Sequence, residues 1–138
     1  MKTLYVMCGA SGSGKTTLSK KLEKEYGAIR LSGDELKLRP KRLVPLIVET
    51  LFSNNIVVVD YLCTTLKARL NLLDAIKDIE CKKILVFVNT SLEECIRRIL
   101  LKENPLAIYM IESIHDSLEY PTLEEGWNEI VEVNNNEK

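Results

Sequence analysis

Gly9-Ala10-Ser11-Gly12-Ser13-Gly14-Lys15-Thr16 is a full match to the phosphate-cradling pattern G-x-x-x-x-G-K-[ST]. An apolar run, Leu4 to Cys8, precedes it and a lysine-rich amphipathic segment, Thr17 to Tyr26, follows, so strand, tight loop and helix come in the order the pattern requires. Glycines let successive backbone N–H groups turn inward as an anion nest, and the helix behind them adds its positive end. The expected nucleotide-binding set is Gly9, Ala10, Ser11, Gly12, Ser13, Gly14, Lys15, Thr16 and Thr17, with ATP or another nucleoside triphosphate as ligand. Lys15 is expected at the β- and γ-phosphates and the Thr16 hydroxyl on Mg²⁺.

Outward from the loop, strand and helix alternate. Leu4 to Cys8 suits a strand covered on both faces, and a helix from Lys15 to about Tyr26 ends at Gly27, a natural left-handed cap. Ala28 to Leu31 is a short second strand that delivers Ser32-Gly33-Asp34-Glu35 at its C-terminal end, where open α/β sheets bind ligands. Helical pattern returns after Pro40, with Pro45 read as a first-turn residue and Leu46, Ile47, Leu51 and Phe52 on one face. Ile56 to Asp60 is the clearest strand, Thr65 to Ile79 a helix capped by Thr65, and Lys83 to Asn89 a fourth strand. Thr90 or Ser91 then caps a helix that carries Arg97, Arg98 and Lys102 and breaks at Asn104-Pro105. A helix over Leu106 to Leu118 and a strand over Trp127 to Val133 complete the pattern. The fold class is α/β: one domain over residues 1–133, built on a five-stranded parallel sheet sandwiched between helices, with a short helical lid and a flexible tail at 134–138.

Composition narrows the function classes. The chain has 138 residues, 28% charged and 46% apolar, with a formal net charge of −1, so no global basic field attracts nucleic acid and any such contact must be local. The four cysteines lack C-x-x-C pairing and read as reduced, buried thiols. No charged-then-apolar leader opens the sequence and no apolar run is long enough to cross a membrane, so a cytoplasmic protein with no membrane partner is expected.

A phosphate loop alone does not separate kinases from switches or motors. Asp34 and Asp60 follow neighbouring strands and belong on the rim that holds the loop. Asp34 is a candidate general base for an attacking hydroxyl, with a helix N-cap as its competing use. For Asp60 two readings stand side by side: a water-mediated Mg²⁺ ligand, or an acceptor-pocket residue paired with a cation such as Lys37. Arg98 and Lys102 share a helix face and are candidates to close over the phosphates, while Glu94 is placed to hold Arg98 in a solvated pair. The cations from Lys37 to Arg42 lie beyond Asp34, either as an acceptor-side anion site or as a solvated loop. His115 is assigned no role, and Tyr120 and Trp127 read as packing residues, one of which could line an adenine slot.

With these pieces in place, nearly the whole chain resembles the small phosphate-loop kinases grouped around the 5′-hydroxyl polynucleotide kinases, which include the seryl-tRNA kinases. The likeness rests on Gly9 to Thr17, Ser32 to Lys37, Val57 to Asp60, Thr90 to Arg98, and Glu119-Tyr120-Pro121-Thr122 followed by Glu125-Gly126-Trp127. It implies the P-loop NTPase fold, Asp34 as the residue that activates the 5′-hydroxyl, Asp60 at the acceptor site and a basic lid on the donor phosphates. Lys37 stands where those enzymes often place an arginine, Tyr61-Leu62-Cys63 replaces the usual run after the third strand, and Arg69 is the candidate for the downstream basic position. The leading expectation is an ATP- and Mg²⁺-dependent phosphotransferase acting on a DNA or RNA 5′ end. The catalytic residues expected are Lys15, Asp34, Arg98 and Lys102, the acceptor residues Asp34, Lys37 and Asp60, and the metal residues Thr16 and Asp60. A small-molecule or nucleoside kinase, and an ATPase or switch module with no hydroxyl acceptor, stand beside it.

Overall fold

Strand β1 (Lys2–Cys8) sends Leu4, Val6 and Cys8 to one side and Tyr5 and Met7 to the other, and hydrophobic clusters cover both sides. Such two-sided burial belongs to the interior of a parallel sheet. The computed structural model describes residues 1–102 and 107–134. Among these, β1, β2 (Ile29–Ser32), β3 (Ile56–Asp60), β4 (Cys81–Asn89) and β5 (Glu129–Asn134) form one sheet in the order β2-β3-β1-β4-β5, every pairing parallel. The expected α/β architecture is the one observed. The break at Asn104-Pro105, the start of the last helix at Leu106, the lid over 100–106 beyond Lys102 and the tail beyond Asn134 lie outside the described residues. No helix among the described residues is long and apolar enough to cross a membrane.

Helices cover the sheet on both faces. Helix α1 (Lys15–Tyr26) packs Leu18 and Leu22 with Met7, Val58, Ile84 and Val86. On the other face Leu43, Ile47 and Leu51 of α3 (Pro40–Ser53) and Leu72 and Leu73 of α4 (Leu66–Ala75) meet Leu4, Val6, Val57, Val59 and Phe87. A one-turn helix, α2 (Gly33–Leu36), joins β2 to α3. Helices α5 (Leu92–Leu100) and α6 (Ile108–Asp116) form a third cluster, in which Cys95, Ile99 and Ile111 pack on Ala10 of the phosphate loop.

Strands β1 and β4 begin two residues earlier than expected, at Lys2 and Cys81, α6 ends at Asp116 rather than Leu118, and three further boundaries depart from expectation for a local reason. Pro40, not Pro45, occupies the first turn of α3, and Pro45 lies inside the helix, where it has no N–H to give the carbonyl four residues back, that of Lys41. Helix α4 stops at Ala75 rather than Ile79, because tight turns from Lys77 N to Asp74 O (3.4 Å) and from Ile79 N to Ile76 O (3.0 Å) bury both isoleucines at once. Strand β5 starts two residues late: Trp127 is buried in the core, and Asn128 brackets Lys83 with bonds of 2.9 and 2.8 Å before pairing begins.

Arg69 is the largest side chain buried completely. Its guanidinium makes a two-pronged pair with Glu125 (Nε to Oε1 2.8 Å, Nη2 to Oε2 3.2 Å) and donates to the carbonyls of Glu119 (2.8 Å) and Cys63 (3.2 Å). Glu125 also accepts from Trp127 Nε1 at 3.0 Å and from Thr122 N at 3.1 Å, the latter within a capping box on the 3₁₀ turn Leu123–Glu125. Arg69 is thus a strap between α4 and the last third of the chain, not the acceptor-side cation expected of it.

Candidate active site

The phosphate loop is held open by its own geometry. Gly12 (φ 83°) and Gly14 (φ 98°) take left-handed backbone, and a Cβ on Gly12 would lie 2.6 Å from the Cys95 carbonyl oxygen of α5. Two loop carbonyls are tied down: Thr90 Oγ1 donates to Ser13 O at 2.8 Å, and Arg98 Nη1 donates to Gly12 O at 3.3 Å and Ser13 O at 3.0 Å. Peptide planarity turns the Gly14 N–H opposite to the Ser13 carbonyl, whereas the Ser13 N–H is used within the loop, donating to Ala10 O at 3.1 Å. Gly14, the N-cap of α1, offers no side chain to the first-turn amides, so they are free to bind an anion.

A cleft of about 1010 Å³ opens at the C-terminal edge of the sheet and brings together Ser11, Gly12, Gly14, Lys15, Thr16, Thr17, Asp34, Arg98 and Lys102. Gly9, Ala10 and Ser13 are buried beneath it and shape the loop. Asp34 is exposed on the cleft wall, and its carboxylate makes no hydrogen bond or ion pair among the described residues. The competing use as an N-cap falls to Ser32, whose Oγ accepts from Glu35 N at 3.3 Å.

Two expected acceptor residues lie elsewhere. Lys37 is exposed at the left-handed C-cap of α2 (φ 56°), outside the cleft lining, and Arg39 lines the cleft in its stead. Asp60 is 3% exposed and sits behind Lys15, its Oδ1 3.8 Å from Lys15 Nζ, so the cation beside it is not Lys37. Its other oxygen is held by two groups that sequence reasoning passed over: Ser19 Oγ at 2.9 Å and Arg30 Nη2 at 3.0 Å.

Arg30, 5% exposed in its side chain, ties three elements together. Its Nε donates to Ser19 Oγ of α1 (2.7 Å), Nη1 to Glu35 Oε2 of α2 (2.5 Å) and Nη2 to Asp60 Oδ2 at the end of β3. Burial opposes its charge, but the bonds to Glu35 and Asp60 outweigh that and raise its pKa. One oxygen of Asp60 is therefore spent on positioning and the other faces Lys15. A hard oxygen pair, the Thr16 hydroxyl and Asp60 Oδ1 acting through water, fits Mg²⁺, which is held by few protein ligands together with phosphate oxygens.

On α5, Glu94 accepts from Arg97 (2.6 Å) and Arg98 (3.0 Å) and is drawn down to about 2, first by the Arg97 hydrogen bond. Arg98 makes the pair with Glu94 that one reading expected, and it also lines the cleft beside the loop. His115 Nε2 lies 3.2 Å from Thr90 O. Neither Tyr120 nor Trp127 lines the cleft: Trp127 is in the core and Tyr120 stacks edge-on to Phe87. The four cysteines are free and buried, and burial pushes Cys8 to about 11 and Cys63 to about 12, so these two thiols stay protonated at neutral pH.

The family model described as "AAA domain" matches residues 4–45, from β1 through the phosphate loop and Asp34 into α3. No curated protein matches the chain. Among solved structures, a gluconokinase from Sinorhizobium meliloti 1021 is 18% identical, with a TM-score of 0.71 over 96% of this chain and 82% of that one. A sugar kinase from Janibacter sp. HTCC2649 is 14% identical, with a TM-score of 0.77 over 96% of this chain and 86% of that one. A fungal RNA kinase is 16% identical, with a TM-score of 0.75 over 99% of this chain and 39% of that one. These are likenesses of architecture, and with the loop after β1 and the strand order β2-β3-β1-β4-β5 they identify the fold of this chain as that of the P-loop NTPases.

Proposed function

We propose that the chain is an ATP-dependent phosphotransferase whose acceptor is the 5′-hydroxyl of a polynucleotide. One observation carries the reading: Lys15 and Thr16 on the phosphate loop share a single cleft with the carboxylate of Asp34, which has no partner among the described residues. In this mechanism the acceptor oxygen bonds to the γ-phosphorus as the bond to the bridging β–γ oxygen breaks. Asp34 takes the hydroxyl proton, and ADP leaves. Lys15 and Arg98 oppose the charge on the transferring group, and Lys102 lies on the same wall. Mg²⁺, held through Thr16 and through water on Asp60, would supply charge neutralisation at the β- and γ-oxygens.

Support for a polynucleotide comes from Arg39 on the cleft wall, from the neighbouring Lys37, Lys41 and Arg42, and from the fungal RNA kinase among the structural relatives. A small-molecule acceptor is the second reading, favoured by the gluconokinase and sugar kinase likenesses. Transfer of labelled γ-phosphate to 5′-hydroxyl DNA, 5′-hydroxyl RNA, tRNA, nucleosides and sugars separates the two, and rising salt should weaken only a polyanionic acceptor. Asp34→Asn should lower transfer by about 10²–10⁴-fold with ATP affinity kept. Transfer at the wild-type rate would remove Asp34 from the mechanism, and ATP hydrolysis indifferent to every acceptor would turn the reading to a switch module.

A further inference from the structure

Beside the cleft, α3 and α4 enclose a groove of about 540 Å³. Pro40, Tyr61, Thr65 and Ala68 line both spaces, so groove and cleft are continuous. The groove adjoins the cleft where the chain runs from Asp34 through Leu38 and Arg39 into α3, which is the proposed acceptor side. None of the phosphate-loop residues lines it, so it is no part of the donor site.

The lining chooses the occupant. Val44, Pro45 and Ala68 offer apolar surface, against which the face of a planar ring can pack. A sugar or polyol carries hydroxyls all round and would leave several unpaired against these side chains. Two exposed cations, Lys41 on α3 and Lys67 on α4, flank the groove from opposite helices and match an anion between them. Two edge-reading groups are also at hand: the Asn71 amide, and the Lys41 carbonyl, which Pro45 deprives of its usual helical donor.

We infer that this groove is a second acceptor subsite, which holds the base of the nucleotide 3′ to the reacting end while Lys41 and Lys67 take the phosphate that joins the two. The inference rests on the polynucleotide reading above and sharpens it: the preferred acceptor is at least a dinucleotide, and its base stacks between α3 and α4.

The test compares kcat/KM for a 5′-hydroxyl nucleoside 3′-phosphate with that for the matching 5′-hydroxyl dinucleotide and trinucleotide. The wild-type protein should favour the dinucleotide by about tenfold, the worth of covering one base face with apolar side chains, with little further gain from a third nucleotide. Asn71→Trp, which fills the groove, should bring the dinucleotide-to-mononucleotide ratio close to one. Lys67→Glu, which repels the phosphate that both acceptors carry, should lower kcat/KM for both relative to the 5′-hydroxyl nucleoside that lacks it, and Lys67→Arg should keep the wild-type values. Both positions are exposed on α4, and the ratio is taken within each variant, so a general loss of folded protein does not mimic the effect. A ratio near one in the wild-type protein, a wild-type ratio in Asn71→Trp, or a Lys67→Glu protein that keeps its preference for the 3′-phosphorylated nucleoside over the plain nucleoside overturns the subsite. Failure to phosphorylate the mononucleotide as well as the longer acceptors overturns the polynucleotide reading itself, a result distinct from loss of the length preference alone.

Discussion

Arg30 is the only charged residue in β2, and its partners lie 11, 5 and 30 positions away in the chain. Nothing local announces that arrangement. The phosphate loop was legible because its chemistry is written in eight contiguous residues, whereas Arg30 acts through contacts that only the sheet creates. The available cue was a cation in a short, otherwise uncharged strand that leads directly to a candidate catalytic aspartate. Arg30 is a positioning residue: it fixes the oxygen of Asp60 that faces away from Lys15 and, through Glu35, anchors the single turn that carries Asp34. Arg30→Gln should reduce kcat by about 10–100-fold and move the Mg²⁺ requirement to higher concentration, as loss of outer-shell partners does. Arg30→Lys, which keeps the charge without the fork, should recover part of both. Unchanged kcat and an unchanged Mg²⁺ titration would reduce Arg30 to a packing role.

At the scale of the element, the buried Arg69–Glu125 pair governs whether α4 and the terminal segment stay joined. Arg69 looked like an acceptor cation in the sequence because position in a helix does not reveal which face turns inward. The face it occupies is closed by Cys63, Glu119 and Glu125. The same contacts account for the Glu119 to Trp127 motif, which serves structure. Arg69→Met leaves the Glu125 carboxylate buried without its partner and should cost about 3–5 kcal/mol in urea unfolding. Burial alone would raise the Glu125 pKa, but the bonds from Arg69, Trp127 and Thr122 prevail and lower it below its ordinary 4.5. A carboxylate lowered on folding stabilises the native state above its unfolded pKa, and that stabilisation is lost as pH falls through the depressed native value. Acid unfolding followed by circular dichroism should show this loss below about pH 4.5, and Glu125→Gln should flatten that part of the curve.

For the whole molecule, alternation of apolar runs with amphipathic segments was enough to give the sheet, because strands covered on both faces leave a continuous hydrophobic signature. The ends were less legible. Ile130, Val131 and Val133 fit a strand in more than one register, and Trp127, read as its first residue, is held in the core by its bond to Glu125 instead. The proposed acceptor side was legible as a cluster of cations but not as a shape, since Arg39 rather than Lys37 reaches the cleft and the groove beside it exists only once α3 and α4 are packed.

The strand order has a thermodynamic consequence. β1, which launches the phosphate loop, lies between β3 and β4, whereas β2, which launches Asp34, is a four-residue edge strand with Ile29 exposed. Interior strands open only with the whole domain, while edge elements open in smaller excursions. Native-state hydrogen exchange should therefore find the amides of Val6 to Cys8 protected close to the global unfolding limit and those of β2 and α2 released well before it. The two halves of the proposed site would then belong to different cooperative units. If Asp34 serves the acceptor as proposed, substitutions at the exposed residues of α2 would redirect what is phosphorylated without drawing on the stability that keeps the nucleotide end folded.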